Sequence, residues 1–70
     1  MTTRKALQTI VDNANLKSLN YAVNYAVVGL SMDESDPGYK TQLLYVLSNM
    51  THWRGPLAKQ VRQALKGATS

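Results

Sequence analysis

Between Lys17 and Asp33 the chain carries no charged side chain, and its apolar residues fall on two sides of the helix this segment would form. At about 100° per residue, Leu16, Leu19, Val23, Ala26, Val27 and Leu30 make one stripe, and Tyr21, Tyr25 and Val28 make another on the opposite side. Only Lys17, Asn20 and Asn24 cluster as a polar strip. A helix of this composition must be covered on two sides. This second helix is therefore expected at the centre of the fold.

The remaining segments divide at turn residues. Pro37-Gly38, Gly55-Pro56 and the run Asn13-Ala14-Asn15 cut the chain into helix-length pieces. Leu7, Ile10, Val11 and Ala14 follow the i, i+3, i+4, i+7 spacing of one face, which predicts a first helix over residues 3–13. Asn13 can end it and Asn15 cap the next, or one bent helix can continue to Leu30. In the acidic corner of residues 31–38, Asp36 can cap a third helix with Pro37 at its first position, where a missing N–H costs nothing. That helix, ending at about His52, turns Tyr39, Leu43, Val46, Leu47, Met50 and Trp53 inward and leaves Leu44 and Tyr45 outside. A fourth, from Pro56 to a stop at Gly67, turns Leu57, Val61, Ala64 and Leu65 inward and Lys59, Arg62 and Lys66 outward. No run alternates for long enough to make a strand. The expectation is one all-α domain over residues 1–70, a small bundle of three or four short helices.

A domain of 70 residues buries only about 60% of its unfolded surface. Cysteine is absent, so neither disulfides nor thiolate-bound zinc can reinforce it. Oligomerisation is the remaining supplement. The longest uninterrupted apolar or glycine run, residues 25–30, is far short of a membrane span, and Gln8, Thr9 and Asp12 interrupt any apolar signal core. The expected setting is cytoplasmic, with no membrane partner. Asn49-Met50-Thr51 matches a glycosylation acceptor, a coincidence in that setting.

Catalytic parts are scarce: one His, one Glu, three Asp and no Cys. His52 is the single candidate base, and near a helix end it reads as an exposed polar residue facing the last carbonyls. Counted from Asp33 as a calcium loop, the third, fifth and twelfth positions are Ser35, Pro37 and Leu44, where that loop needs oxygen ligands. The four glycines are dispersed, so no dinucleotide fingerprint or phosphate loop can form. No catalytic, metal or cofactor site is expected.

Charge is the other uneven feature. Residues 1–35 hold three positive and three negative side chains, so the net charge of +4 resides in residues 36–70, where five cations face Asp36 alone. Arg54, Lys59, Arg62 and Lys66 could neutralise phosphates, and Gln60 and Gln63 could reach base edges. Over residues 47–66 the short glycine-containing turn resembles the helix-turn-helix motif. Met50, Gly55, Val61 and Ala64 stand where that pattern carries apolar or turn residues, whereas Arg54 and Pro56 depart from it. The alternative assignment of the same cations is a solvated helix face that complements its own C-terminal dipole, or a surface for an acidic protein. Trp53, next to Arg54, either stacks on a base or continues the inward face of the third helix.

Two functional expectations result. The first is a non-enzymatic helical module that acts by protein contact, as a homodimer or in a larger assembly, through Tyr21, Tyr25, Val28, Leu44 and Tyr45. The alternative is a small DNA- or RNA-binding protein that uses the fourth helix, residues 56–66, with Arg54, Lys59, Gln60, Arg62, Gln63 and Lys66 as its contacts.

Overall fold

Four helices form. The computed structural model describes residues 1–70, with α1 over Thr3–Asp12, α2 over Asn20–Ser31, α3 over Tyr39–Ser48 and α4 over Pro56–Thr69. Thr2 caps α1, its Oγ1 accepting the Lys5 N–H at 3.1 Å. The first two helices are separate: the Asn13 N–H reaches back to Ile10 and Val11, and a single 3-10 turn, Lys17–Leu19, leads into α2. The helices pack in a closed ring, α1 on α2, α2 on α3, α3 on α4 and α4 on α1. Within this ring α2 is the most extensively packed element.

The core is made by Ala6, Leu7 and Ile10 from α1, Leu19 from the 3-10 turn, and Ala22 and Ala26 from α2. Tyr39, Leu43 and Val46 from α3, Met50 and Trp53 after it, and Ala58, Val61 and Leu65 from α4 complete it. The polar strip of Lys17, Asn20 and Asn24 lies in solvent as its sequence pattern predicts.

Two inward faces are rotated from their predicted positions. On α2 the buried line is Ala22, Ala26 and Gly29, while Val27 is 51% exposed. Small residues win because the helices approach closely: a Cβ on Gly29 would stand 3.2 Å from Leu7 Cδ1. On α4, Ala58 is buried and Leu57 exposed, a rotation that also turns Arg62 toward α3. Ala14 is exposed beyond the end of α1. Nor does α4 stop at Gly67, which has open space around it. The helix runs on to Thr69, where the Thr69 and Ser70 hydroxyls donate to the Lys66 and Gly67 carbonyls. The third helix ends at Ser48, earlier than predicted, and residues 49–55 form the connection to α4.

The acidic corner is a pair of turns. Asp33 Oδ1 accepts the Ser35 N–H at 2.9 Å and its hydroxyl at 2.7 Å, bonds that hold the Asp33 carboxyl below its ordinary pKa, the backbone bond most. Asp36 Oδ1 accepts the Gly38 N–H at 2.7 Å, and the Asp36 carbonyl accepts the Tyr39 N–H at 3.0 Å. Asp36 thus closes a tight turn through Pro37 and Gly38 and is not the cap of the helix as expected: the regular helix begins at Tyr39 with Gly38 before it, so Pro37 stands outside the helix and not at its first position. Asp36→Ala is expected to lower stability by about 0.5–1.5 kcal/mol in urea denaturation, the loss of the turn hydrogen bond to Gly38.

Arginines on the first and last helices fasten the middle of the chain. Arg4 Nη1 donates to the Leu30 carbonyl at 2.9 Å and Nη2 to that of Met32, and its guanidinium lies 3.8 Å from Glu34 and 6.0 Å from the Tyr39 ring centroid. Arg62 Nη2 donates to the carbonyls of Met50, at 3.3 Å, and of Trp53. Arg4 satisfies carbonyls at the end of α2, whereas Arg62 ties down the connection beyond α3, where the Met50 carbonyl also accepts the Trp53 N–H.

Beside Arg4, the Tyr39 hydroxyl is buried without a hydrogen-bond partner. An unsatisfied buried hydroxyl is costly, so Tyr39→Phe is expected to raise stability by about 1 kcal/mol. Burial, the largest cause, raises the Tyr39 pKa above 10.0, with the Arg4 charge opposing and the Glu34 charge assisting. Ionisation therefore favours the unfolded chain: stability is complete below pH about 10 and is lost as pH rises from there through the raised folded value. Denaturation curves across that window should show a smaller loss for the Phe variant.

Candidate functional site

All five residues of the predicted protein-contact set lie in solvent. Tyr21 is 73% exposed, Tyr25 38%, Val28 48%, Leu44 45% and Tyr45 50%. No part of the chain itself covers the tyrosine side of α2, although α1 and α3 flank the helix. Tyr21, Tyr25 and Val28 recur at i, i+4, i+7, which places them along one edge of α2. Tyr45 joins them from α3, its ring centroid 5.6 Å from that of Tyr25 at a 39° tilt. Beneath the two rings, Gln42 Nε2 donates to the Tyr25 carbonyl at 2.9 Å and fixes α3 against α2. Leu44 stands apart from this group. It is one residue from Tyr45, about 100° around the helix, on the shoulder turned from α2.

The basic set divides. Arg54, Lys59, Gln60, Gln63 and Lys66 are exposed, whereas Arg62 is half-buried with its guanidinium on the two carbonyls after α3. Arg62 therefore holds the connection in place rather than standing free on the surface. Gln60 and Gln63, with Met1 and Ala64, line an open cleft of about 350 Å³. The seven residues 49–55 make a longer link than the 3–4-residue turn of a helix-turn-helix pair. Trp53 is 7% exposed, so its ring belongs to the core and is not offered for stacking. His52 is exposed in the same connection.

Two participants escaped the sequence reading. Gln42 falls on the edge of α3 between inward and outward positions, and only the packing of α3 on α2 gives its amide a partner. Lys40 is the other. It lies on the Leu44 shoulder of α3, four residues before that leucine, and is exposed. Its i, i+4, i+7 relation to Leu44 and Leu47 was the available signal.

No protein-family model, curated protein or solved structure matches the chain. The functional reading therefore rests on this surface.

Proposed function

We propose that the protein is a non-enzymatic helical module that self-associates as a homodimer through the α2–α3 face, with Tyr21, Tyr25, Val28 and Tyr45 as anchors and Leu44 at the margin. The observation that carries this reading is the uncovered tyrosine edge, led by Tyr21 at 73% exposure. A second copy is the favoured occupant because α2 has no charged residue, although the chain carries +4. An acidic partner would seek the cations elsewhere. A neutral face lets two like-charged copies approach, and its phenol and asparagine groups both donate and accept, as a two-fold contact requires. A standard interface takes about 800 Å² from each partner, roughly a fifth of the 4343 Å² surface and within one side of a four-sided bundle.

Sedimentation across a concentration series tests the reading. A dimer that dissociates on dilution is expected; a monomer persisting to about 1 mM, the weak end of useful affinity, would refute it.

A second reading, a small DNA- or RNA-binding protein, is supported by the exposure of Arg54, Lys59 and Lys66. The one ion pair in the molecule is that of Arg4 with Glu34, so these three cations have no acidic partner.

A further inference from the structure

Four cations of the second half of the chain are exposed, Lys40, Arg54, Lys59 and Lys66, and helical spacing places the three lysines on the shoulders that α3 and α4 turn toward each other. On α3, Gln42 and Tyr45 turn toward α2 through their hydrogen bond and ring contact, while Tyr39, Leu43 and Val46 are buried. The opposite shoulder, the one beside α4, carries Lys40, Leu44 and Leu47 at i, i+4, i+7. On α4, Arg62 marks the side turned to α3, because it reaches the Met50 and Trp53 carbonyls. Lys59 and Lys66 flank Arg62 at i−3 and i+4, on the same side of the helix. Gln60 lies toward Met1, and Gln63, four residues after Lys59 and three before Lys66, stands between the lysine row and the Met1 cleft that both glutamines line. Lys40, Lys59 and Lys66 therefore border one seam between α3 and α4, and Arg54 extends it from the connection that joins the two helices.

We propose that this seam binds the phosphate backbone of duplex nucleic acid without reading its sequence, through Lys40, Arg54, Lys59 and Lys66. The inference rests on the second reading above and moves its contact surface from the crest of α4 to the α3–α4 groove. Lys59 and Lys66 are seven residues apart, about 10 Å along the helix, a row that follows a regular line of phosphates. Lysine is depleted in protein interfaces but abundant in phosphate contacts, which favours nucleic acid over an acidic protein. Trp53 is buried and α3 and α4 carry no aromatic residue on these shoulders, so the only ring near the seam is the exposed His52 beside Arg54, which is no extended platform for successive unpaired bases. A duplex, whose bases are already stacked, suits the surface better than a single strand. Arg62, occupied by carbonyls, contributes shape and not a phosphate contact.

The test is fluorescence anisotropy of a labelled mixed-sequence duplex with the full chain between 50 and 200 mM salt. Four contacts predict a slope of log affinity against log salt near −3.6, at about −0.9 per contact. Lys40→Ala, Lys59→Ala and Lys66→Ala should each make the slope shallower by about 0.9, with circular dichroism unchanged because all three side chains are exposed. The double variant Gln60→Ala/Gln63→Ala should bind as the unmodified chain does. Binding that ignores Lys40→Ala but falls in the glutamine double variant would overturn the seam and leave the α4 reading standing. Tighter binding to a single strand, or equal competition by polyglutamate, would overturn the choice of a duplex backbone. No binding at 50 mM salt, where phosphate contacts are strong, would overturn both the seam and the reading beneath it.

Discussion

Tyr21→Glu is expected to sediment as a folded monomer at concentrations where the unmodified chain is a dimer. Tyr21 is 73% exposed, so a carboxylate there meets water in the free chain and costs the monomer almost nothing. In the paired state two such carboxylates would be brought near the two-fold axis and stripped of solvent, each without a cation on α2 to receive it. The loss of affinity should be at least tenfold, the equivalent of about 1.4 kcal/mol. Tyr25→Glu should dissociate the dimer as well, but it also removes a ring packed on Tyr45, so its monomer should be less stable. A Tyr21→Glu variant that dimerises as strongly as the unmodified chain would remove the α2–α3 face from consideration.

Trp53→Ala is expected to cost about 3–5 kcal/mol, as the loss of a buried large aromatic does, and to leave a domain of this size largely unfolded at ambient temperature. Trp53 is 7% exposed, its backbone N–H donates to the Met50 carbonyl, and its backbone carbonyl receives Arg62. Emptying the site therefore disturbs the core and the connection between α3 and α4 together. Thermal or urea denaturation followed by circular dichroism measures it. A variant as stable as the parent would show that the indole lies outside the core.

The helical class, the number of helices and the α3 face were readable because each rests on a short-range rule. Pro56 opens α4, Asp36 closes the turn into α3, and Tyr39, Leu43, Val46 and Met50 repeat at one helical face. The uncovered tyrosine edge was legible for a related reason, since Tyr21, Tyr25 and Val28 exceed what three other short helices can bury. The rotations of α2 and α4 were not legible from hydrophobicity, which ranks Val27 above Gly29 and Leu57 above Ala58. Close approach of backbones reverses that ranking, and the spacing of Ala22, Ala26 and Gly29 was the cue to it. The Arg62 position depended on one of those rotations. Its role could not be assigned until the carbonyls after α3 had been located.

The packing of α1 on α4 joins the two ends of the chain, and this governs how the molecule can come into being. Contacts between neighbouring helices can form while the chain is being made, but closure waits for the final segment. Until α4 arrives, Ala6, Leu7 and Ile10 lack one wall of their enclosure, and the carbonyls of Met50 and Trp53 have no guanidinium. The four helices are therefore expected to unfold together, in a single transition that circular dichroism and Trp53 fluorescence report at the same temperature.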